Sequence, residues 1–125
     1  MYKYFNNNPC GRSVGDCAVR AISAAFGISW ERAFDILADN ARQMCDMPSS
    51  DSVWGATLRM MGYVREAVND RMTVEEFAEE NPRGIFVAKT NGHVVCIRDG
   101  CVYDSWDSSQ EDVIYVWKRD RNTRR

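Results

Sequence analysis

Apolar and polar positions along the 125-residue chain follow one rhythm in its first two thirds and another in the last third. From Cys17 to Phe26 nearly every residue is apolar, Arg20 and Ser23 being the exceptions, and Gly27 follows as a stop. A helix that is apolar almost all round belongs in the middle of a fold. Ser29 is placed to cap a second helix, in which Trp30, Ala33, Phe34, Leu37, Ala41 and Met44 recur at helical spacing. After a loop at MPSSDS, a third helix is predicted from about Ser52, with Trp54, Thr57, Leu58 and Met61 on one face and Gly62 as its end. Thr73 and Glu76 make a capping box for a short fourth helix carrying Val74, Phe77 and Ala78.

Beyond Asn81-Pro82 the period changes from helical to alternating. The stretches GIFVAK, HVVCIR and CVYDSW are rich in β-branched and aromatic residues and are separated by Asn91-Gly92 and Asp99-Gly100. Those dipeptides are strong hairpin signals. VIYVW, residues 113 to 117, reads as a further strand, and the polar residues from about 118 to 125 as a flexible tail. The expected architecture is a single α+β domain over residues 1–125, with N-terminal helices, one of them central and buried, packed on a C-terminal antiparallel β-meander.

A two-residue turn at Asp99-Gly100 sets the hairpin register. Arg98 pairs with Cys101, Ile97 with Val102, Cys96 with Tyr103, Val95 with Asp104 and Val94 with Ser105. Alternation then puts His93, Val95, Ile97, Val102, Asp104 and Trp106 on one face. His93 is the only histidine of the chain. A carboxylate and an imidazole on an otherwise apolar face are costly unless they satisfy each other, so Asp104 is the predicted partner of His93, with Asp107 one step off that face. Trp106, on the same side, is placed either to shield the pair from water or to pack on the helices.

Composition narrows the chemistry. The chain is 45% hydrophobic with a formal net charge of −2, so no overall field favours nucleic acid or an anionic membrane. The basic residues Lys118, Arg119, Arg121, Arg124 and Arg125 read as a solvated tail rather than a nucleic-acid contact. No apolar run is long enough to span a bilayer and MYKYFNNNP lacks a signal-peptide core, which predicts a cytoplasmic protein unless another route exports it. The five cysteines include no CxxC pair, and His93 and Cys96, three apart on a strand, point to opposite faces; no metal or cofactor is expected.

Cys10, Cys45, Cys96 and Cys101 read as small core fillers. Cys17 differs, because it stands in the first turn of a helix, among unpaired N–H groups and near the positive end of the dipole. Asp16 beside it is placed to cap that helix, and its charge would oppose ionisation of the thiol.

The order of GDCAVRAI with Cys17, NGHVVCI with His93 and VYDSWD with Asp104 resembles the papain-like cysteine peptidase superfamily, particularly its compact bacterial or phage members. The resemblance spans roughly residues 5 to 117, and implies a minimal papain-like fold in which Cys17 is the nucleophile, His93 the base and then acid, and Asp104 the orienter. It implies a thiol hydrolase that cleaves amide bonds of a peptide or protein through a thioester. Many relatives carry an oxyanion-binding glutamine six residues before the cysteine; here that position is Gly11, which leaves Asn7 or Asn8 as substitutes. Transglutaminases and arylamine acetyltransferases share the same residue order, so acyl transfer is an alternative. A papain-like module kept for interaction rather than catalysis is the other.

Overall fold

A computed structural model describes residues 1–119. Among them, four helices and six strands form an α+β structure in the order β1 (Tyr2–Tyr4), α1 (Cys17–Phe26), α2 (Trp30–Met44), α3 (Asp51–Met60), β2 (Tyr63–Ala67), α4 (Val74–Glu80), β3 (Ile85–Thr90), β4 (His93–Arg98), β5 (Cys101–Asp104) and β6 (Tyr115–Arg119). The strands make one mixed sheet ordered β1-β5-β4-β3-β6-β2. No helix of the described residues is long and apolar enough to cross a membrane.

Local signals account for the helices. Gly27 ends α1 in the left-handed region, at φ 64°, its N–H returning to the Ser23 carbonyl. The Ser29 hydroxyl accepts from the Arg32 N–H at the start of α2, and the Thr73–Glu76 box is reciprocal at the start of α4. α1 lies against β4 with Ala18, Val19, Ala21 and Ile22 buried beside Val94 and Cys96, and α2 and α3 extend that layer through Leu37, Trp54 and Leu58. A second cluster on the other side joins Val74, Phe77 and Ala78 of α4 to Val95, Ile97 and Val102. Both faces of β4 are therefore buried, as its unbroken run HVVCI requires.

The hairpin forms in the predicted register over Arg98↔Cys101, Ile97↔Val102 and Cys96↔Tyr103. Asp99 and Gly100 take φ 49° and 78°, the left-handed pair that a type I′ turn needs. The meander needs correction at both ends. β6 does not continue outward from β5 but returns to the far side of β3, and β2 then pairs outside β6. β1 adds a parallel strand beside β5, with Tyr4 opposite Asp104. The last strand begins at Tyr115 rather than 113, and Lys118 and Arg119 are its end rather than part of a tail; residues 120–125 lie outside the described residues.

Candidate active site

Cys17 is the first residue of α1, half-buried in the lining of a cavity of about 500 Å³ that His93, Val94, Trp30 and Phe34 also line. The β4–β5 ladder stops at Cys96↔Tyr103, so the start of β4 has no ladder partner on the β5 side. There the Val94 backbone and the His93 ring neighbour the Cys17 thiol, and both favour its ionised form. Asp104, one residue past the ladder, reaches back to His93, with Oδ2 at 2.6 Å from Nε2. The ring nitrogen left for the sulfur is Nδ1. Cys17, His93 and Asp104, 87 positions apart at the extremes in sequence, are thus consecutive in space.

Asp104 is 1% exposed and its carboxylate is fully engaged. Oδ2 accepts from His93 and from the Ser108 hydroxyl at 2.5 Å, while Oδ1 accepts from the Arg20 guanidinium at 3.0 Å and the Ser105 N–H at 2.8 Å. Burial alone would raise its pKa; hydrogen bonds from His93 and Ser108 outweigh it and hold the carboxyl below its ordinary range. Burial likewise disfavours the imidazolium, yet hydrogen bonds to Asp104 and Cys17 raise His93 to about 9. At Cys17 burial pushes the thiol up, but the contacts with His93 and the Val94 backbone, with Arg20 nearby, bring it below its ordinary value. Both shifts favour the thiolate–imidazolium form of the pair over the neutral one. Cys96 shows the contrast, since burial without an ionic partner pushes its thiol up to about 12.

Arg20 is a site residue that the sequence alone did not reveal. It is 5% exposed and bridges two buried carboxylates, donating to Asp104 and forming a close ion pair with Asp16. The signal was present: a charged residue one turn after Cys17 in a helix apolar almost all round requires a buried partner. Asp16 occupies the N-cap position but makes no side-chain cap, correcting that expectation; its carboxylate also accepts from Trp30 Nε1 at 2.8 Å. Ion-paired in this way, it places less uncompensated negative charge beside the thiol than a free carboxylate. Ser108 was missed as well, because nothing local marks a serine in SWDSS as a ligand of Asp104.

The remaining candidates lie elsewhere. Asn7 donates to the Ser23 hydroxyl at 2.9 Å, six residues along α1 from Cys17 and about 9 Å up its axis. Asn8 Oδ1 accepts from the N–H groups of Cys10 and Arg12 within its own loop. The structure therefore does not bring either amide to the thiol, which leaves the N–H groups of the uncapped first turn of α1, where Cys17 itself stands, to receive an oxyanion. Asp107 accepts from the Ser109 N–H rather than from His93. Trp106 is 45% exposed, its ring centroid 4.8 Å from that of His93, so it covers the imidazole's outer side rather than packing on the helices. Cys10 and Cys45 are exposed, contrary to the core-filler reading, and Cys45 caps the C-terminus of α2 at φ 54°. Compared with known proteins, the chain matches no family model, no curated protein and no solved structure.

Proposed function

We propose that the chain is a papain-like thiol hydrolase that cleaves amide bonds of a peptide or protein substrate. The observation that carries this reading is the string Cys17–His93–Asp104, with the thiol lowered, the imidazole raised to about 9, and the sulfur opening into a cavity. In the first half-reaction the Cys17 thiolate attacks the amide carbonyl carbon and a C–S bond forms. Negative charge gathers on the carbonyl oxygen, near the free N–H groups of the first turn of α1. His93 then passes its Nδ1 proton to the amine, the C–N bond breaks, and a thioester remains. Water attacks the thioester, His93 takes its proton, and the acid leaves as the thiolate is restored.

Asp104 holds the ring through Nε2 so that Nδ1 stays aimed at the sulfur. The test is alkylation with iodoacetamide at pH 6, where an ordinary thiol is almost wholly protonated. Cys17 should be modified well ahead of Cys10 and Cys45, although both of those are more exposed. Equal rates at the three cysteines would falsify the thiolate reading.

A second reading, a papain-like module used for interaction, draws on the absence of the Asn7 and Asn8 amides from the thiol. It predicts that Cys17→Ser leaves biological activity intact, whereas the hydrolase reading predicts its loss at unchanged stability. An amine in place of water would make the same thioester a step of acyl transfer.

A further inference from the structure

The cavity beside Cys17 has a mixed lining of aromatic and ion-paired residues. One wall carries Trp30 and Phe34, one helical turn apart on α2, with ring centroids 5.2 Å apart and planes inclined by only 15°. Phe34 is 41% exposed and Val14, also in the lining, is 40% exposed, so two of the uncovered large apolar side chains among the described residues border the same cavity. The lining also includes Lys89 and Asp51, paired with each other at 3.4 Å. Neither presents an uncompensated charge to a ligand.

The aromatic wall is also held in place. Trp30 Nε1 donates to Asp16, Asp16 is ion-paired with Arg20, and Arg20 reaches Asp104. The string that orients His93 therefore also anchors the indole on which Phe34 stacks. A rigid, half-exposed aromatic surface a short distance from a nucleophile is organised in advance for an apolar guest.

We infer that this cavity selects an acyl group bearing a bulky apolar side chain, aromatic above all, with the stacked Trp30–Phe34 pair as the recognising surface. The inference rests on Cys17 being the nucleophile. The leaving amine takes its proton from His93, whereas the acyl part stays on the sulfur, beside Val14, Val19 and the aromatic wall. Each methylene that such a pocket accommodates is worth about tenfold or more in discrimination.

The experiment compares Cys17 alkylation by acetyl-aminoacyl chloromethyl ketones carrying Phe, Gly or Asp side chains. In each, the thiolate displaces chloride and an S–C bond forms. Rates are divided by that of iodoacetamide, which has no side chain to recognise. The Phe reagent should exceed the Gly and Asp reagents by at least about tenfold. Phe34→Ala should shrink that ratio severalfold and Phe34→Leu should restore most of it.

Equal ratios for the three reagents, or a preference that Phe34→Ala leaves intact, overturn the inference while selective iodoacetamide labelling still upholds the nucleophile. A non-covalent arm separates the two readings from the other side. Acetyl-phenylalaninamide and acetyl-glycinamide are titrated against Cys17→Ser by tryptophan fluorescence. Saturable binding of the first and not the second supports the pocket whatever the thiol does, and equal binding removes it.

Discussion

A free cysteine holds its proton until about pH 8.5 and a free histidine releases its own near 6.5, so an isolated pair at neutral pH is uncharged. Here burial opposes both charges, yet Asp104 and the mutual contact reverse the order, with His93 raised to about 9 and Cys17 lowered. The proposed hydrolysis should therefore rise with pH as Cys17 loses its proton, below the ordinary thiol range, and fall as His93 loses its own near pH 9. A pH–kcat/KM profile checks both limbs. Asp104→Asn removes the carboxylate from Nε2, so the His93 titration, followed by imidazole NMR, should move from about 9 back toward 6.5. The same change should lower the proposed hydrolysis by about 10³- to 10⁴-fold, the scale seen when a triad loses its orienting carboxylate.

At the scale of elements, α1 delivers the thiol and, one turn later, the guanidinium that neutralises the carboxylates behind it. Arg20→Met leaves Asp16 and Asp104 buried without their shared cation, a loss of about 3–5 kcal/mol that urea unfolding should report. The β4–β5 hairpin delivers the other two groups, and its register depends on Gly100 at φ 78°. A Cβ at Gly100 would come no closer than 3.6 Å to its neighbours, so Gly100→Ala carries a backbone cost alone, about 1 kcal/mol by the same measurement. The elements with strong local signatures, the capped helices and the Gly-turned hairpins, were legible in the chain. β1 and β2 were not. Tyr2–Tyr4 is three residues long and gains its partner from a strand about a hundred positions away, and all of β2 except Tyr63 is solvent-facing, so neither shows an apolar period.

At the scale of the whole molecule, the thiol–imidazole pair makes a thermodynamic prediction. Between about pH 6.5 and 8.5 the unfolded chain carries one proton on this pair, on the thiol. Wherever Cys17 is ionised in the folded state, the folded chain also carries one, on His93. Stability changes with pH in proportion to the difference in bound protons, so the pair contributes no slope there. Cys17→Ala removes the balance. His93, still raised by Asp104, then stabilises the fold fully below pH 6.5 and loses that contribution as pH rises through its folded pKa. Urea unfolding at about pH 7, 7.5, 8 and 8.5 should show the variant's stability declining across a range where the ionised pair adds no slope to the parent; parallel curves would contradict a resting ion pair. At the acid end, Asp104 supports the fold above the ordinary carboxylate range and withdraws that support as pH falls through its lowered pKa.

Sequence by itself determined the order of helices and hairpins, the register that aligns His93 with Asp104, and the exceptional position of Cys17, because each depends on residues within a few places of one another. Tertiary structure alone decided that α1 sets its first turn against the open start of β4. It alone brought Arg20 between Asp16 and Asp104, seated Ser108 on the same carboxylate, and turned Asn7 and Asn8 away from the thiol. Those contacts join buried polar groups from distant parts of the chain, and each group takes whichever partner the packing leaves within reach.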